Sequence, residues 1–117
     1  MKTIYEQKIL DPHIHLWDLN KFSYDWIKEN PNVSLKKNYL LKDFTEDINS
    51  LKVNKIVHIQ AEINRKFNVE ETKWLQFISD NHSKGFPNGI IGYIDLLNDN
   101  AERELNHLKV EAHHVTK

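Results

Sequence analysis

The sequence predicts an α/β fold in which parallel strands alternate with helices. Two observations support this prediction: short segments rich in β-branched residues alternate with segments of helical periodicity, and polar residues gather where the strand-like segments end. Strands that alternate with helices pair in parallel through crossover connections. The pattern comprises about three strand–helix units.

Three segments have the composition of strands. Residues 55–61 (KIVHIQA) and 89–95 (GIIGYID) are short, rich in β-branched side chains and bounded by polar residues. Residues 8–14 (KILDPHI) form a weaker candidate, because Pro12 has no N–H to donate to a neighbouring strand. We therefore expect Pro12 near the end of the first strand.

Three further segments, residues 43–51, 68–82 and 99–108, have the pattern of amphipathic helices. Each begins with Asp or Asn and has a glutamate three residues later, which is the signature of a capping box. The predicted N-caps are Asp43, Asn68 and Asp99. The apolar residues expected to face the core are Leu40, Phe44, Ile48, Leu51, Trp74, Leu75, Ile78, Ala101, Leu105 and Leu108.

The segment 16–42 is the one long connection without clear periodicity. Most connections in compact domains are about 4–6 residues long, so this length favours a segment with a structure or function of its own. The segment contains large aromatic residues, Trp17, Phe22, Tyr24 and Trp26. A disordered linker has no need of such side chains, and we predict a folded functional loop.

Composition limits the classes of function. The chain has 117 residues, 39% hydrophobic and 28% charged, with a formal net charge of −1. This profile predicts one soluble globular domain with no general affinity for nucleic acid. No apolar run is long enough for a membrane helix, and the N-terminus has no signal-peptide core, so we expect a cytoplasmic protein. The absence of cysteine leaves His, Asp and Glu as strong metal ligands.

A histidine pair, His13 and His15, ends the first predicted strand. Residues two apart in a strand point to the same side, so both imidazoles can reach one small ion or one substrate group. A metal site needs at least one further ligand from elsewhere in the chain. The alternative is a pair of surface or core histidines with no functional role. Functional residues of parallel sheets gather at the carboxyl ends of the strands, which favours a metal or catalytic role.

The second predicted strand repeats this arrangement. His58, Gln60 and Glu62 share one side of the strand, while the other side carries apolar residues that we expect to pack under helices. The polar side would face a cleft, with Glu62 as a catalytic candidate and Gln60 as a substrate-binding candidate. The alternatives are a buried, hydrogen-bonded core histidine at position 58 and a solvated loop acid at position 62. Asp95 ends the third strand in a similar position.

The motifs LDPHIHLWDL, FSYDW, VHIQAEIN, VEETKWLQ and GIIGYIDL follow one another in this order. Over residues 8–109 they resemble the amino-terminal part of the amidohydrolase-2 branch of the metal-dependent hydrolases, which includes L-fuconolactonase-like and 2-pyrone-4,6-dicarboxylate lactonase-like enzymes. The resemblance implies a (β/α)₈ TIM barrel that hydrolyses a lactone or related carbonyl compound.

The resemblance also implies roles for individual residues. His13 and His15 match the motif that binds a divalent metal, such as Zn or Mn, in many members of the superfamily. Enzymes of this branch include some that work without a metal, so the resemblance leaves the cofactor open. Tyr24 and Trp26 match the aromatic part of the first loop, which implies a wall of the substrate pocket.

Length sets this chain apart from the family. A (β/α)₈ barrel takes about 250 residues, and the pattern here ends after about three units, with residues 110–117 (VEAHHVTK) as a divergent tail that we do not expect to form a fourth strand. We therefore expect residues 1–117 to form a single, incomplete barrel-like domain that is inactive alone and needs a complementing second chain. The alternatives are a small non-catalytic α/β protein that covers its open sheet by forming a homo-oligomer, and a decayed product with no function.

Overall fold

The computed structural model describes residues 7–111 and 115–116 and confirms the α/β class. Its strands are β1 (Lys8–Ile14), β2 (Lys52–Ile59), β3 (Gly89–Ile91) and the short β4 (Val115–Thr116). They form one sheet in the order β1–β2–β3–β4, and all neighbouring strands are parallel. In the described ranges, no helix is long and apolar enough to cross a membrane.

The helices are α1 (Asp25–Lys28), α2 (Leu41–Asp47), α3 (Asn68–Asp80) and α4 (Ala101–Glu111), with short 3₁₀ turns at Val33–Leu35 and Arg65–Phe67. The predicted start of α2 is wrong, because the helix begins before Asp43 and this residue is its third. The Asp43 carboxylate accepts a hydrogen bond from the N–H of Leu40 over 2.8 Å. It therefore caps the helix from inside its first turn.

The chain end also differs from the prediction. We expected residues 110–117 to stop short of a fourth strand, but β4 pairs in parallel with β3, with Val115 opposite Ile90 and Thr116 opposite Ile91. Both residues of β4 are β-branched, which suits an extended backbone. Two residues are too few to produce a periodic pattern that could be recognised in the sequence.

The helices cover one face of the sheet. The core between them contains Ile14, Leu16, Phe44, Val53, Ile56, Leu75, Phe86 and Ile90. Of the residues predicted to face the core, Phe44, Leu75 and Leu108 are buried, and the others in α2, α3 and α4 are partly buried. The opposite face, here called the open face, carries Val57, Ile59 and Ile91, which are half-buried, and Leu10, which is 57% exposed. Gly89 lies beside Val57 on this face, where an added Cβ would come within 3.3 Å of the valine side chain.

A register shift in β1 sets the direction of the histidine pair. Asp11 pairs with Ile56 and Ile14 pairs with His58, so β1 has one residue more than β2 between these positions. The extra residue turns Ile14 towards the helices and leaves His13 and His15 on the open face. The predicted faces of β2 are therefore wrong: Ile56 and His58 are the buried residues, and Val57 and Ile59 lie on the open face.

The segment between β1 and α2 is folded, as predicted. Trp17 and Tyr39 form an antiparallel bridge, with N–H to carbonyl distances of 2.9 and 3.0 Å. A second hydrophobic cluster, here called the loop cluster, forms between this segment and the residues that follow β2. Its buried members are Tyr24, Ile27, Ala61 and Ile63, and the partly buried Trp17, Leu19, Phe22, Leu35 and Phe67 pack against them.

Candidate functional site

His13 and His15 lie side by side where β1 ends. Their Nε2 atoms are 3.1 Å apart, and the two rings meet edge to face. The Nδ1–H of His15 donates to the carbonyl of Ile59 over 2.8 Å. A carbonyl oxygen can only accept, so the proton of His15 is on Nδ1, and its Nε2 accepts from the Nε2–H of His13. The pair therefore presents two adjacent ring nitrogens on the open face.

The donor geometry fits part of a metal site. Two imidazole nitrogens bound to one tetrahedral Zn²⁺ are roughly 3.3 Å apart, close to the 3.1 Å between the Nε2 atoms of His13 and His15. Metal-binding histidines commonly donate their other N–H to a backbone carbonyl, as His15 does. In the part of the chain that the structure describes, no group of three His, Cys, Asp or Glu side chains is arranged to hold an ion. The pair supplies two ligands of a site that needs more.

His58 faces the helices rather than a cleft. Its side chain is fully buried, and its Nε2 accepts a hydrogen bond from the N–H of Leu16 over 2.9 Å. Its Nδ1 has no hydrogen-bond partner among the described residues. Burial lowers the pKa of His58 to about 4, so the ring is neutral at pH 7. Of the two alternatives at this position, the buried, hydrogen-bonded core histidine is the one observed.

Gln60 and Glu62 form a tight turn just beyond β2. The Nε2–H of Gln60 donates to Oε1 of Glu62 over 2.7 Å, and the N–H of Glu62 donates back to Oε1 of Gln60 over 2.8 Å. Glu62 has a φ of 51°, a left-handed conformation that costs free energy in a residue other than glycine. The surrounding contacts must therefore hold this turn in place.

Glu71 of α3 and Trp26 of α1 provide those contacts, because they bind both backbone groups of Ala61. The carboxylate of Glu71 accepts from the N–H of Ala61 over 3.2 Å, and the Nε1–H of Trp26 donates to its carbonyl over 2.7 Å. Glu71 is 1% exposed, and burial, with a smaller contribution from the charge of Glu62, raises its pKa to about 7. The sequence suggested a capping role for Glu71; its helical position gave no signal that it would be buried against the end of β2.

The two aromatic residues expected to form the substrate wall lie in different places. Trp26, 37% exposed, lines a cavity of about 420 Å³ together with Glu62 and Arg65. Tyr24 is 2% exposed, its hydroxyl accepts from the N–H of Asp18, and burial raises its pKa. The structure therefore brings Trp26 and Glu62 together and places Tyr24 in the loop cluster.

Asp95 and Arg65 meet beyond the ends of β3 and β2. Their side chains form an ion pair of 3.4 Å, and the guanidinium of Arg65 lies 5.3 Å from the ring centroid of Tyr93. Arg65 was not among the predicted site residues, because a lone arginine after a strand is usually a solvated side chain. Its position on the wall of the cavity shared by Trp26 and Glu62 is the feature that identifies it.

Comparison with known proteins gives one match, to an uncharacterized protein. No protein-family model matches the chain, and no solved structure matches it significantly. The chain is 39% identical over 94 residues to the uncharacterized protein y4mH of Sinorhizobium fredii (strain NBRC 101917 / NGR234), which covers 74% of this chain and 31% of that protein. The chain thus spans about a third of the length of this relative.

Proposed function

We propose that this chain is the amino-terminal portion of an amidohydrolase-like enzyme that hydrolyses a lactone or a related carbonyl compound. In this proposal the sheet is part of a (β/α)₈ barrel, and the open face is the barrel interior. The observation that carries the proposal is the His13–His15 pair, with Nε2 atoms 3.1 Å apart at the carboxyl end of a parallel strand. Active sites of (β/α)₈ barrels lie at that end of the strands.

In this proposal each residue has a separate role. His13 and His15 would hold a divalent metal such as Zn or Mn, together with ligands from outside the described residues, and that metal would supply Lewis acidity to the carbonyl. Glu62 provides a carboxylate at the neighbouring strand end that can accept a proton from water. Gln60 fixes Glu62, and Trp26 forms an apolar wall next to it.

The reaction is the addition of one water to the lactone. The water oxygen bonds to the carbonyl carbon, the ring C–O bond breaks, and one proton from the water passes to the leaving alkoxide, giving a hydroxy acid. A general base removes a proton from the attacking water in the first step. Its conjugate acid can then donate that proton to the leaving oxygen. We assign this role to Glu62, whose carboxylate accepts from the Nε2–H of Gln60 and whose N–H donates to the Oε1 of Gln60.

The open face supports the incomplete-barrel part of the proposal. Its apolar residues are only half-buried, and Leu10 is 57% exposed. In a closed barrel such residues are packed in layers by the other strands. The relative is more than twice as long as this chain, which leaves room for strands that would do this.

A chimera tests the proposal. Residues 8–109 replace the matching stretch of the Sinorhizobium relative, and the product is assayed against a panel of lactones with Zn²⁺ or Mn²⁺. We expect turnover that falls by about a hundredfold or more in His13→Ala and His15→Ala, because loss of a metal ligand removes the site. The exposed His107 of α4 gives the matched control, His107→Ala, with turnover unchanged.

Two outcomes would contradict the proposal. One is a folded chimera without turnover of any lactone; the other is turnover that survives both substitutions. The isolated 117-residue chain should show no turnover above buffer, and a monodisperse dimer of that chain with an inactive chimera would favour the self-associating alternative instead.

A further inference from the structure

A second cavity lies within the loop cluster. Its volume is about 300 Å³, and none of its lining residues belongs to the histidine pair or to the Gln60–Glu62 turn. The floor consists of Tyr24 and Ile27, which are 2% and 1% exposed. Leu19 and Phe22 form apolar walls, and the rim carries Lys28 and Lys36. The cavity is therefore apolar inside and positively charged at its mouth.

We propose that this cavity binds a small amphipathic anion, namely a carboxylate with a short hydrocarbon or aromatic body. The apolar body contacts Tyr24, Ile27 and the walls, and the carboxylate lies between Lys28 and Lys36. Ligand sites of this kind are mostly apolar with a few placed polar groups, and 300 Å³ is at the lower end of their size range. The cavity size thus selects a small ligand.

The charge at the rim selects an anion. Lys28 and Lys36 are exposed, and neither forms an ion pair with an acid among the described residues. Two ammonium groups beside one cavity repel each other, and a carboxylate between them would relieve that repulsion. Ser23 also lines the cavity, and its hydroxyl donates to the side-chain amide oxygen of Asn64 over 3.2 Å.

Hydrogen bonds fix the chain around the cavity before any ligand binds. The N–H of Asn64 donates to the carbonyl of Ser23 over 2.9 Å, and the hydroxyl of Tyr24 accepts from the N–H of Asp18 over 3.3 Å. Next to Lys36, the carbonyl of Lys37 accepts from the Nε1–H of Trp17 over 2.7 Å. A preformed site loses little conformational entropy on binding. The inference does not depend on the proposed hydrolase activity.

The test uses octanoate as the probe, with octanol and octylammonium as probes of the same length. Isothermal titration of the 117-residue chain should give one octanoate site. Octanol and octylammonium should bind at least about fivefold more weakly, because octanol has no charge to bond to the two lysines and octylammonium is repelled by them. Lys28→Met and Lys36→Met should each weaken octanoate binding by about three- to tenfold. Lys42→Met, an exposed lysine of α2 outside the cavity, is the matched control and should leave binding unchanged.

A further variant, Ser23→Leu, fills the cavity while keeping the backbone bond to Asn64, and it should abolish octanoate binding. Thermal melting confirms that each variant is folded. Equal binding of octanol and octanoate, undiminished binding in both lysine variants, or no octanoate binding at millimolar concentration would overturn the proposal.

Discussion

His15 and His58 have the same side chain and lie 6.2 Å apart between ring centroids, yet they have opposite environments. Their backbone contacts are reciprocal: His15 of the β1 end donates to the carbonyl of Ile59 in β2, while His58 of β2 accepts from the N–H of Leu16 beyond β1. The Nε2 of His15 faces the Nε2 of His13 on the open face, whereas the Nδ1 of His58 lies inside the core without a hydrogen-bond partner among the described residues. One histidine is available for chemistry, and the other joins two strand ends.

The comparison shows that the face of a strand, rather than the residue type, decides the role of a histidine here. The extra residue of β1 between Asp11 and Ile14 turns His13 and His15 outward. Because His58 pairs directly with Ile14, it shares the helix-covered face with that residue. Substitutions, pH and metal should therefore affect the two histidines in different ways.

The largest expected effect is the loss of stability in His58→Ala. The substitution leaves a cavity in the core and removes the acceptor of the Leu16 N–H, so we expect the free energy of unfolding to fall by about 3–4 kcal/mol. Urea unfolding at pH 7 measures this change, with His107→Ala as the exposed control. A fall of less than about 1 kcal/mol would show that His58 does not join the strand ends.

The next effect concerns pH. Burial lowers the pKa of His58 from 6.5 to about 4, so between these values the unfolded chain binds a proton that the folded chain does not. Stability therefore rises with pH across this window, by about 3 kcal/mol in total. Glu71 has the opposite effect, because burial raises its pKa from 4.5 to about 7 and the folded chain holds the extra proton. Its contribution is present below pH 4.5 and is lost as the pH rises through 7.

The two effects nearly cancel in the native sequence between pH 4.5 and 6.5, and Glu71→Gln separates them. In that variant we expect the free energy of unfolding to rise by about 3 kcal/mol between pH 4 and 6.5. The double variant with His58→Ala should show no such rise. Urea unfolding over this pH range gives the measurement, and a flat profile in Glu71→Gln alone would exclude a buried, neutral His58.

A smaller effect is expected on the open face. His15→Ala loses one hydrogen bond to a backbone carbonyl, so the free energy of unfolding should fall by about 1 kcal/mol. His13 is exposed, and among the described residues its ring bonds to His15 alone, while its backbone N–H donates to Asp11, a bond that alanine keeps. We therefore expect His13→Ala to change stability by less than about 0.5 kcal/mol. The same urea experiment measures both. A larger loss for His13→Ala than for His58→Ala would reverse the comparison.

The sequence predicted the α/β class, the bounds of β1 and the grouping of His13 with His15, because each rests on a local pattern. It did not predict the faces of β2, because the register shifts of β1 against β2 depend on pairing between distant residues. The burial of Glu71 was missed for a related reason: an acid in the first turn of a helix is usually a solvated or capping residue. Its contact with Ala61 exists only once α3 packs against the end of β2.

A zinc titration of the chain, followed by the ¹⁵N resonances of the histidine rings, tests the difference between the histidine pair and His58 most directly. We expect the Nε2 resonances of His13 and His15 to shift together at one zinc concentration, with the proton of His15 remaining on Nδ1, while both nitrogens of His58 stay unchanged. Independent shifts of His13 and His15, or a shift at His58 in place of theirs, would contradict it.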